Sequence, residues 1–407
     1  MANPILNLGN NEWATKSESL LGYNKSGSNF KPVPFTHSRA SIGTTIDRNG
    51  VLQTEAGNIP RIDFKDNIKG SLLLEPQRTN LQVRSEEFDN ASWSKSNVNV
   101  SANSETSPSG SLNADKIIAN TTSGAHYVQG SVSGLSTSSE ATFSVFVKKD
   151  EITQLQLLCA QNSSPYTNWA RLQFDLNTLS EFSTNVGTFG YEEYPNGWVK
   201  VFITGIPTST SALIRVSLYK NFSNAFSGNN IDGFYLFGAQ VEQGSYPTSY
   251  IPTGASTVTR LKDECFNGGN ADLFNITEGT LFIDILPFVG NYSIGLSNGT
   301  DSQKIVLIFY SYGQIRTYSS GGVSDFNSIS FNQRNKIAVS FKNNEYKTYI
   351  NGTLASTDTS ATIPTGMNRL NFSNRTNTAN YAEGEINQTL VFNEALSDSE
   401  LQTLTTL

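Results

Sequence analysis

Strand-like alternation of apolar and polar positions dominates the chain, and helical periodicity is scarce. Between residues 141 and 242 the pieces ATFSVFVKK, LQLLCAQ, ARLQFDL, GWVKVFITGI, ALIRVSLYK and FYLFGAQVE read as strands. Polar turns separate them at the spacing of a β-sandwich. A second series follows: GTLFIDILPF, YSIGLSN, KIVLIFYS, QIRTYSS, KIAVSFKN, EYKTYING, RLNFSNR and INQTLVFN. Asn351-Gly352 within it predicts a tight hairpin turn. One amphipathic helix is predicted, in the terminal ALSDSELQTLTTL, with Ser397 as N-cap and Glu400 completing a capping box.

The pattern therefore predicts an all-β protein of two jelly-roll or sandwich domains, over residues 81–260 and 261–407. Residues 1–80 read differently. They are rich in Gly, Asn, Pro and Ser, with two short strand-like pieces, RIDF and GSLLLE. That region is predicted to be extended and loop-rich, to pack on a partner or on the first sandwich, and to serve attachment.

Composition agrees with this class. Charged residues make up 15% of the chain and aromatics 11%. The polar surface must then come from Asn, Ser, Thr and Gly, which favour turns and strands. The aromatic content is enough for real cores. A net charge of −7 argues against a nucleic-acid-binding surface. No apolar run is long enough for a membrane helix, and the opening MANPILNLGNNEW does not read as a secretory signal. Cys159 and Cys265 lie in separate segments and suggest no disulfide framework.

Three linked stretches carry a resemblance. They are IPRIDFKDNIKGSLLLEPQRTNLQVRSEEFDNASW from Ile59 to Trp93, the following SPSGSLNADKI, and GAQVEQGSYPTSYIPTGASTVTR over 238–260. Together they resemble a module of bacteriophage virion proteins. That resemblance implies a sandwich of carbohydrate-binding-module type in a tail fibre, head fibre or capsid-decoration protein. It implies virion structural proteins and further copies of the chain as partners, in a homo-oligomer, with a trimer expected by analogy. Localisation would be the virion, assembled in the host cytoplasm. Residues from about 268 to 407 resemble laminin-G-like and concanavalin-like jelly rolls, through EGTLFIDI, NKIAVSFKNNEYKTYINGTLAST and GEINQTLVFNEALSDSELQTL. That fold hosts lectins, hydrolases and structural modules alike.

Candidate chemistry is sparse. His37 and His126 stand apart with no zinc motif around them. No cofactor is implied. Calcium would require oxygens from several loops, to which Asp232, Asp284 and Asp301 are candidate contributors. Glycoside hydrolysis requires two facing carboxylates. Glu87-Phe88-Asp89 only begins such a pattern, and Glu383 and Glu385 read as solvated edge charges. The alternative to a non-enzymatic display protein is thus a glycan-cleaving depolymerase on the concanavalin-like domain. Sugar binding without catalysis needs an aromatic platform. Tyr166 and Trp169 in SSPYTNW are the better candidates, with Tyr191 and Trp198 from YEEYPNGW beside them; Trp198 also fits a core position. Arg61, Arg78 and Arg260 sit in the module-like motifs and read as structural anchors, with Asp63 or Glu75 as nearby partners for Arg61.

Overall fold

The computed structural model describes residues 3–26, 29–162, 167–274, 276–300, 303–320, 322, 324–373 and 381–407. The chain divides into two compact units. One, here the split unit, comprises Met1–Arg48, Glu55–Gln77 and Leu261–Leu407; the other, the inserted unit, comprises Asn49–Thr54 and Arg78–Arg260.

The split unit is a sandwich of a larger and a smaller antiparallel sheet. In the larger sheet, strand Gly384–Phe392 pairs with Gly279–Pro287 on one side and with Leu6–Gly9 and Ser71–Leu74 on the other. The order continues through Asn335–Lys342, Glu345–Ile350 and Thr353–Asp358 at one end. At the other end it continues through Ser19–Ser26, Asn29–Ser38 and Glu264–Phe266. The smaller sheet runs Ser324–Ser328, Gln314–Ser319, Lys304–Tyr310, Tyr292–Ser297 and Arg369–Asn371. Alternate residues of both sheets meet between them, including Leu6, Leu72, Leu281, Ile294, Leu307 and Val339, all fully buried. Each such side chain contributes roughly 1.5–3 kcal/mol by leaving water.

Helix Asp398–Thr405 covers the far side of the larger sheet, where Leu401 packs with Phe282, Ala338, Tyr349 and Leu390. The Ser397–Glu400 capping box forms as the sequence predicts. Asn351 and Gly352 both take positive φ and connect paired Ile350 and Thr353, as an Asn-Gly hairpin turn requires.

The N-terminal region departs from expectation. Residues 1–80 are predicted to be loop-rich and to lean on the first sandwich or a partner. Instead, Leu6–Gly9, Ser19–Ser26, Asn29–Ser38 and Ser71–Leu74 are strands of the larger sheet of the split unit. The reason is energetic. Leu6, Leu8, Leu20, Phe35, Leu72 and Leu74 are too few for a core of their own, so they complete one supplied by the C-terminal segment.

Asp263 fixes this join. It is fully enclosed, accepts from Arg39 Nη1 at 3.0 Å and pairs with Arg61 Nη2. It also accepts from the Glu75 backbone N–H at 3.0 Å, while its own N–H donates to the Glu75 carbonyl at 2.9 Å. Arg61 reaches Glu75 Oε2 at 2.7 Å as well. Burial alone would lower the Arg61 guanidinium; Asp263 and then Glu75 overcome this and hold it above its ordinary value. Of the two partners expected for Arg61, Glu75 is the one found. Asp63 instead accepts from the backbone N–H groups of Ile46 and Lys65.

The inserted unit is a second two-sheet sandwich. One sheet runs Ser94–Ser96, Ser123–Ser133, Ser211–Tyr219, Gln154–Gln161, Asn168–Asp175, Ser180–Glu181. The other runs Val98–Thr106, Leu112–Ala119, Gly233–Gln243, Ala141–Lys149, Trp198–Gly205, Thr188–Tyr194. Phe143, Val145, Leu157, Leu172, Val201 and Ile214 are among the residues that fill the space between them.

Removing one partner of a buried ion group strands the others, at a cost of about 3–5 kcal/mol. Asp263→Ala should therefore lower the denaturant stability of the split unit by about that much. Chemical unfolding followed by fluorescence checks this, and an unchanged midpoint would contradict the role given to Asp263.

Candidate functional site

Burial decides the fate of the predicted aromatic platform. Trp169 is 5% exposed and Trp198 is 1% exposed, and both belong to the interior. Trp169 packs among the core residues between the two sheets of the inserted unit. The Trp198 ring donates from Nε1 to the Thr106 carbonyl at 3.0 Å. Neither ring can serve as a sugar platform: Trp169 is turned into the core, and Trp198, on the face of its strand opposite core residues Val199, Val201 and Ile203, is covered there. Tyr166 lies outside the described residues. Tyr191 is accessible and lies against the Phe174 ring, but it sits on edge strand Thr188–Tyr194 of the opposite sheet from Trp169.

The other candidates resolve similarly. Asp232 bonds Lys220 and Asn229, and these hydrogen bonds hold its carboxyl below the usual range. Asp284 is paired with Arg334 and accepts from Asn387, and Asp301 lies outside the described residues. Among the described residues no cluster of three metal-ligating side chains occurs. Glu385 is not a solvated edge charge: it is buried in a strand paired on both sides, opposite Leu286 and Leu73.

Arg78 and Arg260 belong to a buried network that explains the GAQVE–SYIPT motif. Glu242, fully buried, accepts from Thr248 N at 2.8 Å, Thr248 Oγ1 at 2.6 Å and Gln240 Nε2 at 2.7 Å. Gln240 Oε1 accepts from Ile251 N at 2.7 Å. Arg260 donates to Ser249 Oγ at 2.8 Å, and Arg78 Nε stands 3.8 Å from Glu242. Asn80 ties strand to strap, donating to the carbonyls of Ala239 and Ile251. The Tyr250 hydroxyl lies 2.6 Å from Ser85 Oγ and 3.0 Å from Glu86 Oε1. Burial, reinforced by Glu86, pushes that phenol well up. The motif is a strap fastened to its own sandwich by buried polar groups.

A better site lies on the outward face of the sheet containing Gln154–Gln161. Along this strand Leu155, Leu157 and Cys159 enter the core. Gln154, Gln156 and Leu158 therefore point away from it. Strand Ser211–Tyr219 likewise turns Leu213, Arg215, Ser217 and Tyr219 outward. Register assembles rows across the sheet: Tyr127, Ser217, Gln156 and Gln173 form one, and Gln129, Arg215, Leu158 and Arg171 the next. Each row crosses four strands, roughly 14 Å at the usual strand spacing.

Although this face is turned away from the core, Gln154 and Gln156 are each 8% exposed, Tyr219 6% and Ser217 2%. What a ligand reaches on it is the half-buried layer of Tyr127, Gln129, Arg171, Gln173 and Arg215. The polar groups of the face are held in fixed directions. Gln156 Nε2 and Gln173 Nε2 donate to the Tyr219 hydroxyl at 3.1 and 2.8 Å. Arg215 donates twice to Gln129 Oε1 and lies 4.0 Å above the Tyr127 ring. Phe182, tilted against the Tyr219 ring and edge-on to Phe222, walls one end. Arg171 donates to the Thr184 carbonyl through Nη2, while its buried Nε has no hydrogen-bond partner. Fixed amides, two guanidiniums and aromatic rings on one face suit a ligand with many hydroxyls. Sequence reasoning missed these residues because alternation marks them only as outward polar positions.

Residues 277–402 match the family model described as the concanavalin A-like lectin/glucanases superfamily. The C-terminal part of the split unit is thus a concanavalin-like, laminin-G-type domain. Solved structures with similarity include the CBM40 of a Ruminococcus gnavus IT-sialidase, at 18% identity, covering 35% of this chain and 94% of that one, TM-score 0.30. Domain 4 of the extracellular arabinanase AbnA from Geobacillus stearothermophilus, in complex with arabinotriose, matches at 15% identity, covering 40% and 84%, TM-score 0.31. Domains LG4-5 of mouse laminin alpha1 match at 9% identity, covering 68% and 90%, TM-score 0.25. No curated protein matches the chain.

Tyr250→Phe removes the hydroxyl shared by buried Ser85 and partly buried Glu86. The expected cost is about 1–3 kcal/mol of inserted-unit stability. Urea unfolding measures it, and a wild-type midpoint would show that the strap does not depend on this contact.

Proposed function

We propose that this chain is a non-enzymatic virion protein of a bacteriophage, displaying two β-sandwich units and adhering weakly to glycans. The observation that carries the glycan reading is the outward face of the Gln154-bearing sheet of the inserted unit, where half-buried Gln173 and Arg215 are held in place by Tyr219 and Gln129. Sugar hydroxyls are both donors and acceptors, and amide side chains match them in either sense. Arg215, flat against Tyr127, adds a cation that a carboxylated or sulfated sugar could share. Tyr191 remains an accessible ring outside this face.

The virion assignment rests on the ordered motifs from Ile59 to Arg260. Its partners would be other virion structural proteins and further copies of the chain, in a homo-oligomer that could be a trimer, within particles assembled in the host cytoplasm. Many copies on one particle convert weak single-site binding into useful avidity. Fibre, tail-associated and capsid-decoration positions all fit.

Purified full-length chain should be retained on a subset of immobilised bacterial polysaccharides and should release no new reducing ends from them. Gln173→Ala and Arg215→Ala should each weaken retention about tenfold, roughly 1.4 kcal/mol, without moving the thermal midpoint. Sustained oligosaccharide release would favour the depolymerase instead. An antibody to the chain should label purified particles from cells that make it; label confined to cell envelopes would remove the virion assignment.

A further inference from the structure

The smaller sheet of the split unit also has an outward face, and its chemistry is different. Ile305, Leu307, Phe309 and Ile315 enter the core, so Lys304, Val306, Ile308, Tyr310, Arg316 and Tyr318 point outward. Register places Ser293, Ile308, Arg316 and Phe326 in one row, with Gly295, Val306 and Tyr318 in the next. Beyond these, Arg369, Ser297 and Lys304 form a third row. Its two cations are separated by two strand spacings, roughly 10 Å.

Aromatic rings and cations interleave on this face. Tyr310 lies near-parallel to Tyr312 at 5.3 Å and to Phe326 at 6.1 Å between ring centres. The Arg316 guanidinium lies 4.8 Å from the Tyr318 ring and 5.4 Å from that of Phe326. Lys304 Nζ approaches Tyr318 at 4.7 Å. Tyr312 and Phe326 are 65% and 54% exposed, whereas Val306 and Ser293 are 4% and 6% exposed. The strands thus form a floor with raised aromatic edges.

Acidic residues are scarce among the described strands of this sheet. The strands of the sheet read YSIGLS, KIVLIFY, QIRTYS, SDFNS and RLN, and Asp325 is their sole acid. Asp325 faces inward, opposite Thr317, whose hydroxyl meets Thr348 of the larger sheet at 3.1 Å. In a chain of net charge −7, a sheet whose described strands turn Lys304, Arg316 and Arg369 outward and no acid is a local inversion of sign.

We propose that this face binds an acidic polysaccharide, with Tyr310, Tyr318 and Phe326 meeting sugar rings and Arg316 meeting carboxylates. Charge complementarity selects the acid. The aromatic edge selects a sugar over a free inorganic anion, since a pyranose has an apolar face to lay on a ring. Nucleic acid is the lesser fit: binding it relies on neutralising many closely spaced phosphates, and the net charge of −7 opposes that over a long duplex. A polyuronide carries its charges further apart and meets less of that repulsion. The site is independent of the outward face of the inserted unit.

The test uses the full-length chain with oligogalacturonate, alginate and hyaluronan fragments, the fully methyl-esterified oligogalacturonate, and a single-stranded oligonucleotide. The chain should bind at least one acidic fragment at least tenfold more tightly than the methyl ester, with affinity falling as salt rises. Arg316→Ala and Phe326→Ala should each lose at least tenfold, measured in an Arg215→Ala background so that the cation of the inserted unit does not contribute. Phe326 is exposed on an edge strand, so its variant keeps the test valid if Arg316→Ala fails to fold. Equal binding of the ester, no binding of any acidic fragment, preference for the oligonucleotide, or a loss confined to Arg215→Ala would each overturn the proposal. Loss of neutral-glycan retention in Gln173→Ala alone would bear only on the inserted unit.

Discussion

The split unit depends on one enclosed group of charges. Arg39 and Arg61 bring two positive charges into the interior, and Asp263 and Glu75 bring two negative ones. None could be buried alone, because desolvation of an isolated ion exceeds anything packing returns. Each is tolerated only when segments far apart in sequence arrive together. The group is therefore a register device. Residues 39, 61, 75 and 263 have one arrangement in which every charge is matched. Arg39 adds hydrogen bonds to the carbonyls of Ser41, Ala56 and Ile59, so the irregular backbone around it is fixed as well. Cys265, two residues from Asp263 and fully buried, has its thiol pushed up by burial and then by that carboxylate. It behaves as a small apolar group.

With the join fixed, both sandwiches can leave one sheet face without a covering layer. A helix covers the outer side of the larger sheet in the split unit. The smaller sheet and the Gln154-bearing sheet of the inserted unit carry organised polar and aromatic side chains instead. The two faces use different means. In the inserted unit, amides and a phenol hold one another in place; in the split unit, cations lie over rings. Both arrangements limit side-chain freedom before any ligand arrives, which lowers the entropy lost on binding.

Much of the fold could be read from the chain, and the reasons are local. The paired strands around Asn351-Gly352 and the helix cap at Ser397 are set by neighbouring residues, so a single sequence reveals them. Leu6–Gly9 escaped because it is short and takes a partner from residues more than 300 positions away, whereas Ser71–Leu74 was legible as a strand in GSLLLE but its partner, also more than 300 positions away, was not. Arg61 could be recognised as an anchor, and Glu75 as its neighbour, but Asp263 is 202 residues distant and no spacing rule points to it. Trp169 and Trp198 misled for a related reason. An aromatic beside a turn can begin either an inward or an outward position, and only the fold settles which, and what covers it. The residues of the outward face of the inserted unit were visible as outward positions, yet which of them stand side by side depends on register across four strands, which alternation does not encode.

The discontinuity of the split unit has a consequence for biogenesis. Its N-terminal strands leave the ribosome long before the strand Gly384–Phe392 that they flank, and the whole inserted unit is made in between. During that interval Leu6, Leu8, Phe35 and Leu72 have no core to enter. The inserted unit, nearly continuous in sequence, can close first and hold residues 78 and 260 at the spacing of its short ladder Arg78–Asn80 against Val258–Arg260. That ladder shortens the search: the early and late strands meet as neighbours rather than as the ends of a long flexible loop.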